Sequence, residues 1–364
     1  MKIAVIGTDL SSLLCAWLLQ DKADVYIFEE SDSLEGFCQN ICYEENGIKN
    51  EIDMSPFYYD KTHSKELHSY LHKLKTRCIP ADLATQFIDY ESNPKQTKAF
   101  TPLEILADNP GHLLSMEYWQ QFSGLINPKN LPYYAIWQQA TQSRAPTPKQ
   151  SWRRLEGSSL DLVRSLCRKL KAPIFFSSNI VWSQIQPDGI SLQIEQGREL
   201  KVDHVIFSKS RHALNANLPK NLSHALHTIS YESCEYILHR WSGLAPSDTR
   251  HNYQHTCYYD RSKHASKPNK NFNIRCFHNI HSEDPIYLSH DPFIDIPPEY
   301  IIKRTIANLP ICNDQTEKAR SELENLQGTS NVWFTGPLIH DNNLSRLGTQ
   351  ATNLVQKIAL HYIT

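Results

Sequence analysis

The sequence predicts an α/β fold: a parallel sheet assembled from distant pieces of the chain, with a mixed unit of helices and antiparallel strands inserted between them. Three observations predict it. The first thirty residues read as strand, apolar helix and strand; the last forty read as strand, glycine turn and helix. Between them lie two blocks, near 60–150 and 224–300, whose patterning belongs to neither.

K-I-A-V-I at 2–6 is a short apolar, β-branched run bounded by Gly7, the pattern of a strand buried on both faces, as parallel strands are. Residues 10–20 carry leucine, cysteine, alanine and tryptophan on nearly every face, so that helix is expected to be buried too. D-K-A-D then turns the chain, and V-Y-I-F at 25–28 is a second strand, ending in Glu29 and Glu30. Strand, helix and strand fit within about thirty residues, the length a parallel crossover needs.

Residues 62–76, T-H-S-K-E-L-H-S-Y-L-H-K-L-K-T, space leucines 67, 71 and 74 for a helix, and the proline-punctuated, Trp- and Tyr-rich stretch after it reads as a mainly helical insertion. At 152–170, W-R-R-L gives way to a Gly157-Ser158-Ser159 turn and an amphipathic helix. Ser158 or Ser159 is its N-cap, and Asp161 complements the dipole in the first turn. Strand, hairpin and strand follow, with turns at P-D-G (187–189) and E-Q-G-R (195–198) and a buried run D-H-V-I-F at 203–207. More than half of the seventeen histidines fall between 224 and 300, in segments that alternate as antiparallel strands do. The chain closes on N-V-W-F-T-G-P and a helix.

Composition narrows the function. Against 39 acidic residues stand 37 basic ones, so no net field favours nucleic acid or an anionic membrane. The nine cysteines are scattered, odd in number and without a C-x-x-C, which suits reduced thiols in a cytoplasmic protein. No stretch approaches the ~20 apolar residues of a membrane span. The apolar run at 10–19 is not expected to be a signal peptide, since Asp9 precedes it and Lys2 is the lone basic residue before it. The N-x-S sequences at Asn221 and Asn343 are chance matches in such a protein.

The chemistry centres on the first turn, G-T-D-L-S-S at 7–12, placed where a dinucleotide-binding turn reads G-x-G-x-x-G. Glu29, about twenty residues on, stands where a carboxylate accepts hydrogen bonds from a ribose diol. L-E-G-F-C-Q-N then puts Gly36 in a loop ahead of an apolar segment and Asp53. The hairpin N-I-V-W…D-H-V-I-F and the terminal N-V-W-F-T-G-P complete an ordered series of four pieces.

That order resembles the glutathione-reductase-like FAD fold of flavin amine oxidases and phytoene-desaturase-like enzymes. The nearer resemblance is to a bacterial, NAD/FAD-binding, amine-oxidase-like branch, carried by C-A-W-L-L, A-I-W-Q-Q before W-R-R-L-E-G-S-S, I-S-Y-E-S-C-E-Y-I-L-H, Y-L-S-H-D-P-F and L-Q-G-T-S-N-V-W-F-T-G. The resemblance spans nearly the whole chain. It implies a Rossmann-like FAD-binding domain from 1–60, 152–210 and 325–364, with a β-hairpin insertion, and a substrate domain from 61–151 and 211–324. It implies FAD held at Gly7, Asp9, Ser11, Ser12, Glu29, Gly36, Val181 and Gly336. Asp9 and Ser12 stand where the second and third glycines belong, Glu35 where the first glycine of a G-G loop belongs, Ser158 in place of a glycine of the central turn, and Pro337 near the usual acidic residue.

These departures split the functional expectation. One reading is an FAD-dependent oxidoreductase of the amine-oxidase or desaturase type, acting on an apolar small molecule or lipid, with no catalytic side chain named. The other is a degenerate member that has lost tight FAD binding and serves as a binding or partner protein. Asp9 separates them. A carboxylate ~5 Å from a phosphate at an effective dielectric near 20 repels it by roughly 3 kcal/mol. As the N-cap of the 10–20 helix, the same carboxylate would satisfy the N–H groups that otherwise hold phosphate.

Other clusters are read as structural. His251, His255 and Cys257, and His278 with His281, lie in strand and loop rather than on one helix face, so no metal site is assigned. Cys38 and Cys42 lack a basic neighbour that would lower a thiol pKa. The aromatic residues between Tyr118 and Trp137 are expected to pack a core in preference to lining a channel, and no G-x-S-x-G elbow occurs.

Overall fold

The computed structural model describes residues 1–34, 40–54, 58–62, 64–81, 85–89, 99–100, 152–186, 188–195, 197–209, 213, 217–244, 255–259, 269–276, 278, 280, 282, 284–292, 294–310, 314–339 and 344–363. The fold is α/β, with one parallel sheet, several antiparallel sheets and helices.

Five parallel strands run in the order Ile174–Phe175, Asp24–Phe28, Lys2–Ile6, His204–Phe207 and Val332–Phe334. Both faces of the sheet are covered, which explains why its strands read as unbroken apolar runs. Alternate residues divide between the faces. Ile3, Val5, Val25, Ile27, Ile206 and Trp333 pack against the helices Leu10–Leu19, Lys65–Lys73, Ser159–Cys167 and Leu344–Ile363. Ala4, Ile6, Phe28, Val205, Phe207, Val332 and Phe334 pack against a second layer. That layer combines the antiparallel strands Ile180–Gln186, Gly189–Ile194 and Arg198–Val202 with the helices Lys220–Thr228 and Asp314–Asn325.

The antiparallel sheet expected in 224–300 is present and wider than expected. Its order is Ile301–Pro310, Tyr231–His239, Tyr287–His290, Asn269–Asn273, His255–Tyr259, Thr85–Asp89 and Ala99–Phe100. Every pair is antiparallel except His255–Tyr259 with Thr85–Asp89. Within 60–150, read as mainly helical, the described residues hold both helix and strand, and 101–151 lie outside the described residues. The Lys65–Lys73 helix forms with Leu67 and Leu71 buried, but Cys78–Pro80, Thr85–Asp89 and Ala99–Phe100 are strands. Proline and mixed polarity mask a strand whose partner lies far along the chain. The aromatic residues between Tyr118 and Trp137 lie outside the described residues.

Two smaller antiparallel sheets complete the described fold: Asn40–Glu45 with Ile48–Asp53, and Tyr58–Asp60, Trp152–Leu155 and Cys78–Pro80. The Ser158 cap forms as read. Its hydroxyl accepts from the Asp161 N–H and the Asp161 carboxylate accepts from the Ser158 N–H, a reciprocal box that fixes where the helix starts.

Candidate functional site

The carboxyl ends of Lys2–Ile6, Asp24–Phe28, His204–Phe207 and Val332–Phe334 meet at one edge of the parallel sheet, the position where open α/β sheets hold their ligands. Three predicted groups converge there, the 7–12 turn, Glu29 and the Gly336 turn, joined by the residues after Phe207.

Asp9 caps the first helix. Its backbone is extended and its Oδ1 accepts from the N–H groups of Ser11 (3.0 Å) and Ser12 (3.2 Å). The Ser11 hydroxyl also donates to Oδ1, and the Ser12 hydroxyl donates to Oδ2 at 2.7 Å. Asp9, Ser11 and Ser12 are all buried.

Glu29 is as fully engaged. Its Oε2 accepts from the Thr8 N–H (2.9 Å) and hydroxyl (2.6 Å), and its Oε1 accepts from the Ser31 N–H (3.2 Å) and hydroxyl (2.9 Å). Lys209 Nζ lies 3.6 Å from Glu29 and 3.4 Å from Glu30. Burial by itself would raise the Glu29 carboxyl, but the bonds from Thr8 and Ser31 and the Lys209 charge outweigh it and hold the group below the usual carboxylate range.

The Gly336 turn closes over the cap. Gly336 has φ +63, and a Cβ there would stand 3.0 Å from Ser11 Oγ and 3.2 Å from Asp9 Oδ1, so glycine is required both by conformation and by close approach. Thr335, just before it, donates its N–H to the Phe207 carbonyl at 2.9 Å. Cys15, on the helix beneath, has its thiol pushed up to about 12 by burial and is inert.

Val181 does not join this group. It is half exposed, at an irregularity of its strand, three residues past Ser178, whose N–H bonds the Glu29 carbonyl. Gly36 and Glu35 lie outside the described residues.

A flavin dinucleotide needs the N–H groups at the start of the helix for its pyrophosphate and a strand-end carboxylate for its ribose. Here the Ser11 and Ser12 N–H groups already bond Asp9, and each Glu29 oxygen already has two donors. In this arrangement the residues do not fit FAD.

Three participants escaped the sequence reading. Thr8 and Ser31 saturate Glu29, and Lys209 stands two residues past a predicted strand, a placement at the strand's carboxyl end that would have marked it. A second buried polar cluster lies apart. Both Asp53 oxygens accept the Ser159 N–H at 3.0 Å, the Ser159 hydroxyl donates to Oδ1 at 2.6 Å, and the Asp53 N–H donates to His278 Nε2 at 3.2 Å. It ties the Asn40–Asp53 hairpin to the Ser159–Cys167 helix. Of the predicted histidine clusters, only His278 has a described environment; His251 and His281 are outside the described residues, as are the side chains of His255 and Cys257.

No protein-family model and no curated protein sequence matches the chain. Solved structures do. A CLA-producing fatty acid isomerase from P. acnes superposes with TM-score 0.65 at 10% identity, covering 98% of each chain. An oxidoreductase from Methanosarcina mazei gives TM-score 0.63 at 12% identity, over 98% of this chain and 100% of its own. A cofactor-binding redesign of putrescine oxidase gives 0.62 at 10%, over 100% of this chain and 99% of its own. The chain shares their fold. At such identities the likeness extends to the arrangement of strands and helices and no further.

Proposed function

We propose that this protein has the flavin amine oxidase-like fold without tight FAD binding, and that it acts as a binding protein for a small apolar molecule or a protein partner. The Asp9 carboxylate carries this reading: it sits on the N–H groups a pyrophosphate needs, and no anion competes there without displacing it. The saturated Glu29 supports it from the ribose side.

A specific observation favours a second reading, the FAD-dependent oxidoreductase of the amine-oxidase or desaturase type acting on an apolar small molecule or lipid. The superposed fatty acid isomerase and putrescine oxidase match the chain almost end to end. Under that reading Asp9 has to leave the cap when the cofactor enters.

Absorbance of the purified protein decides between them. A colourless preparation that FAD fails to stabilise against heat supports the first reading; a yellow one with flavin bands overturns it.

The same proposal divides the chain into a cofactor-type domain, 1–60, 152–210 and 325–364, and a substrate domain, 61–151 and 211–324. In support, all five parallel strands fall in the first set and all seven strands of the wide sheet in the second. A cytoplasmic location accords with the free thiols of Cys15, Cys42, Cys78, Cys167 and Cys234. Among the described residues, no helix is long and apolar enough to cross a membrane.

A further inference from the structure

We propose that Cys234, His290 and Asp291 form a binding site for a divalent transition-metal ion, with zinc the ion that best suits the donors. The site lies in the wide antiparallel sheet, on strands remote in sequence from the 7–12 turn, and does not depend on whether FAD binds.

Adjacent strands build it. Tyr231–His239 pairs antiparallel with Tyr287–His290, in a register that sets Tyr236 opposite His290. The His290 ring stacks on the Tyr236 ring with centroids 4.6 Å apart and planes 8° from parallel, which fixes its direction. Asp291 follows at once and is held twice by Glu235: its N–H donates to the Glu235 carbonyl at 2.8 Å, and its Oδ1 accepts the Glu235 N–H at 2.7 Å. Asp291 holds φ +42, a left-handed conformation that aspartate tolerates when its short side chain bonds locally, here with the Glu235 N–H. The conformation turns Oδ2 toward His290 Nε2, at 3.5 Å. Cys234 brings its thiol from the buried core, and the three donor atoms all lie within 4.8 Å of one another.

Those separations suit one ion. Tetrahedral zinc takes bonds of about 2.0–2.2 Å to nitrogen or oxygen and about 2.3 Å to sulfur, so its donors stand roughly 3.3–3.6 Å apart. The imidazole and carboxylate are already at that spacing; the sulfur reaches it by a movement of about 1.3 Å at most. One sulfur, one imidazole and one carboxylate match a borderline-soft ion and not calcium or magnesium, which prefer oxygen alone. The Glu235 N–H on the far carboxylate oxygen is the kind of outer hydrogen bond that orients a ligand. Three protein donors leave a fourth position for water. Binding converts the Cys234 thiol to a thiolate and releases its proton to solvent. Without a metal the same residues amount to a histidine–aspartate pair beside a core thiol, and the experiment below separates the two.

The full-length chain, purified, stripped of metal and kept reduced, is titrated with Co²⁺ and then Zn²⁺. One equivalent of Co²⁺ is expected to give the near-ultraviolet thiolate charge-transfer band and the intense visible bands of tetrahedral cobalt, and Zn²⁺ is expected to erase both. Asp291→Asn, a change at a partly exposed position, should weaken zinc at least about 10-fold. Cys234→Ser should abolish the charge-transfer band, while Cys42→Ser leaves it intact. Circular dichroism of each metal-free variant verifies that it is folded. A folded wild-type chain that takes up no metal, or whose cobalt spectrum is octahedral without a thiolate band, overturns the proposal. So does stoichiometric binding that Asp291→Asn leaves unchanged.

Discussion

Asp9 occupies with its own oxygens the donors that a dinucleotide would use, and its replacement has two separable consequences. Asp9→Ala removes a buried cap and is expected to cost about 1–2 kcal/mol, read as a lower midpoint in urea unfolding. Asp9→Gly costs less, because glycine is tolerated at a cap, and it also frees the Ser11 and Ser12 N–H groups. FAD is expected to raise the thermal midpoint of this variant and not that of the wild type. If FAD leaves Asp9→Gly unmoved, the block lies outside the cap, in the Glu29 network or the other loops. Thr8→Val tests that network, since it strips one donor from a buried carboxylate; a loss of about 1–3 kcal/mol is expected in the same unfolding assay. At this scale the sequence was informative about Asp9, whose position before an apolar helix marks it as a cap. It marked Glu29 as a strand-end carboxylate but was silent about its partners, because Thr8 and Lys209 reach that carboxylate only once three strands lie side by side.

Among the elements, the terminal helix and the Lys65–Lys73 helix meet where Gly348 faces the backbone of Leu67. A Cβ on Gly348 would collide with the Leu67 N and lie 2.7 Å from its Cα. Alanine normally improves a helix interior by about 1 kcal/mol over glycine. Here the obstacle is backbone, which cannot rotate aside, so Gly348→Ala is expected to lower the melting temperature; a rise would show that the two helices part freely. The leucine spacing at 67, 71 and 74 revealed one of these helices, since a single buried face is enough to impose it. Thr85–Asp89 left no such mark. What makes it a strand is pairing with His255–Tyr259, some 170 residues away, and local propensity does not encode a partner at that distance.

At the scale of the whole molecule, three buried groups among the described residues contribute to the response to pH. Burial pushes His239 and His278 down to about 4, so each binds a proton more readily unfolded than folded. Their contribution is complete above about pH 6.5 and is lost as pH falls through 4, at roughly 1.4 kcal/mol per unit at most for each. Asp53 acts in the opposite sense. Burial pushes its carboxyl up to about 7 against the bonds from Ser159, so its contribution is lost as pH rises from about 4 through 7. Melting temperature measured between about pH 4.5 and 6.5 should therefore rise less steeply in His239→Gln and more steeply in Asp53→Asn. Equal slopes in all three proteins would mean that these groups remain solvated.

The sequence by itself determined the parallel sheet and the helices on it: short apolar runs bury on two faces wherever they end up, and the cap that starts a helix sits within three residues of the groups it satisfies. Only the tertiary structure decided which charges meet. Glu29 with Lys209, Asp53 with Ser159 and His278, and Cys234 with His290 and Asp291 are joined by strand order and register, which bring distant side chains within a few ångströms and leave no periodic trace in the chain.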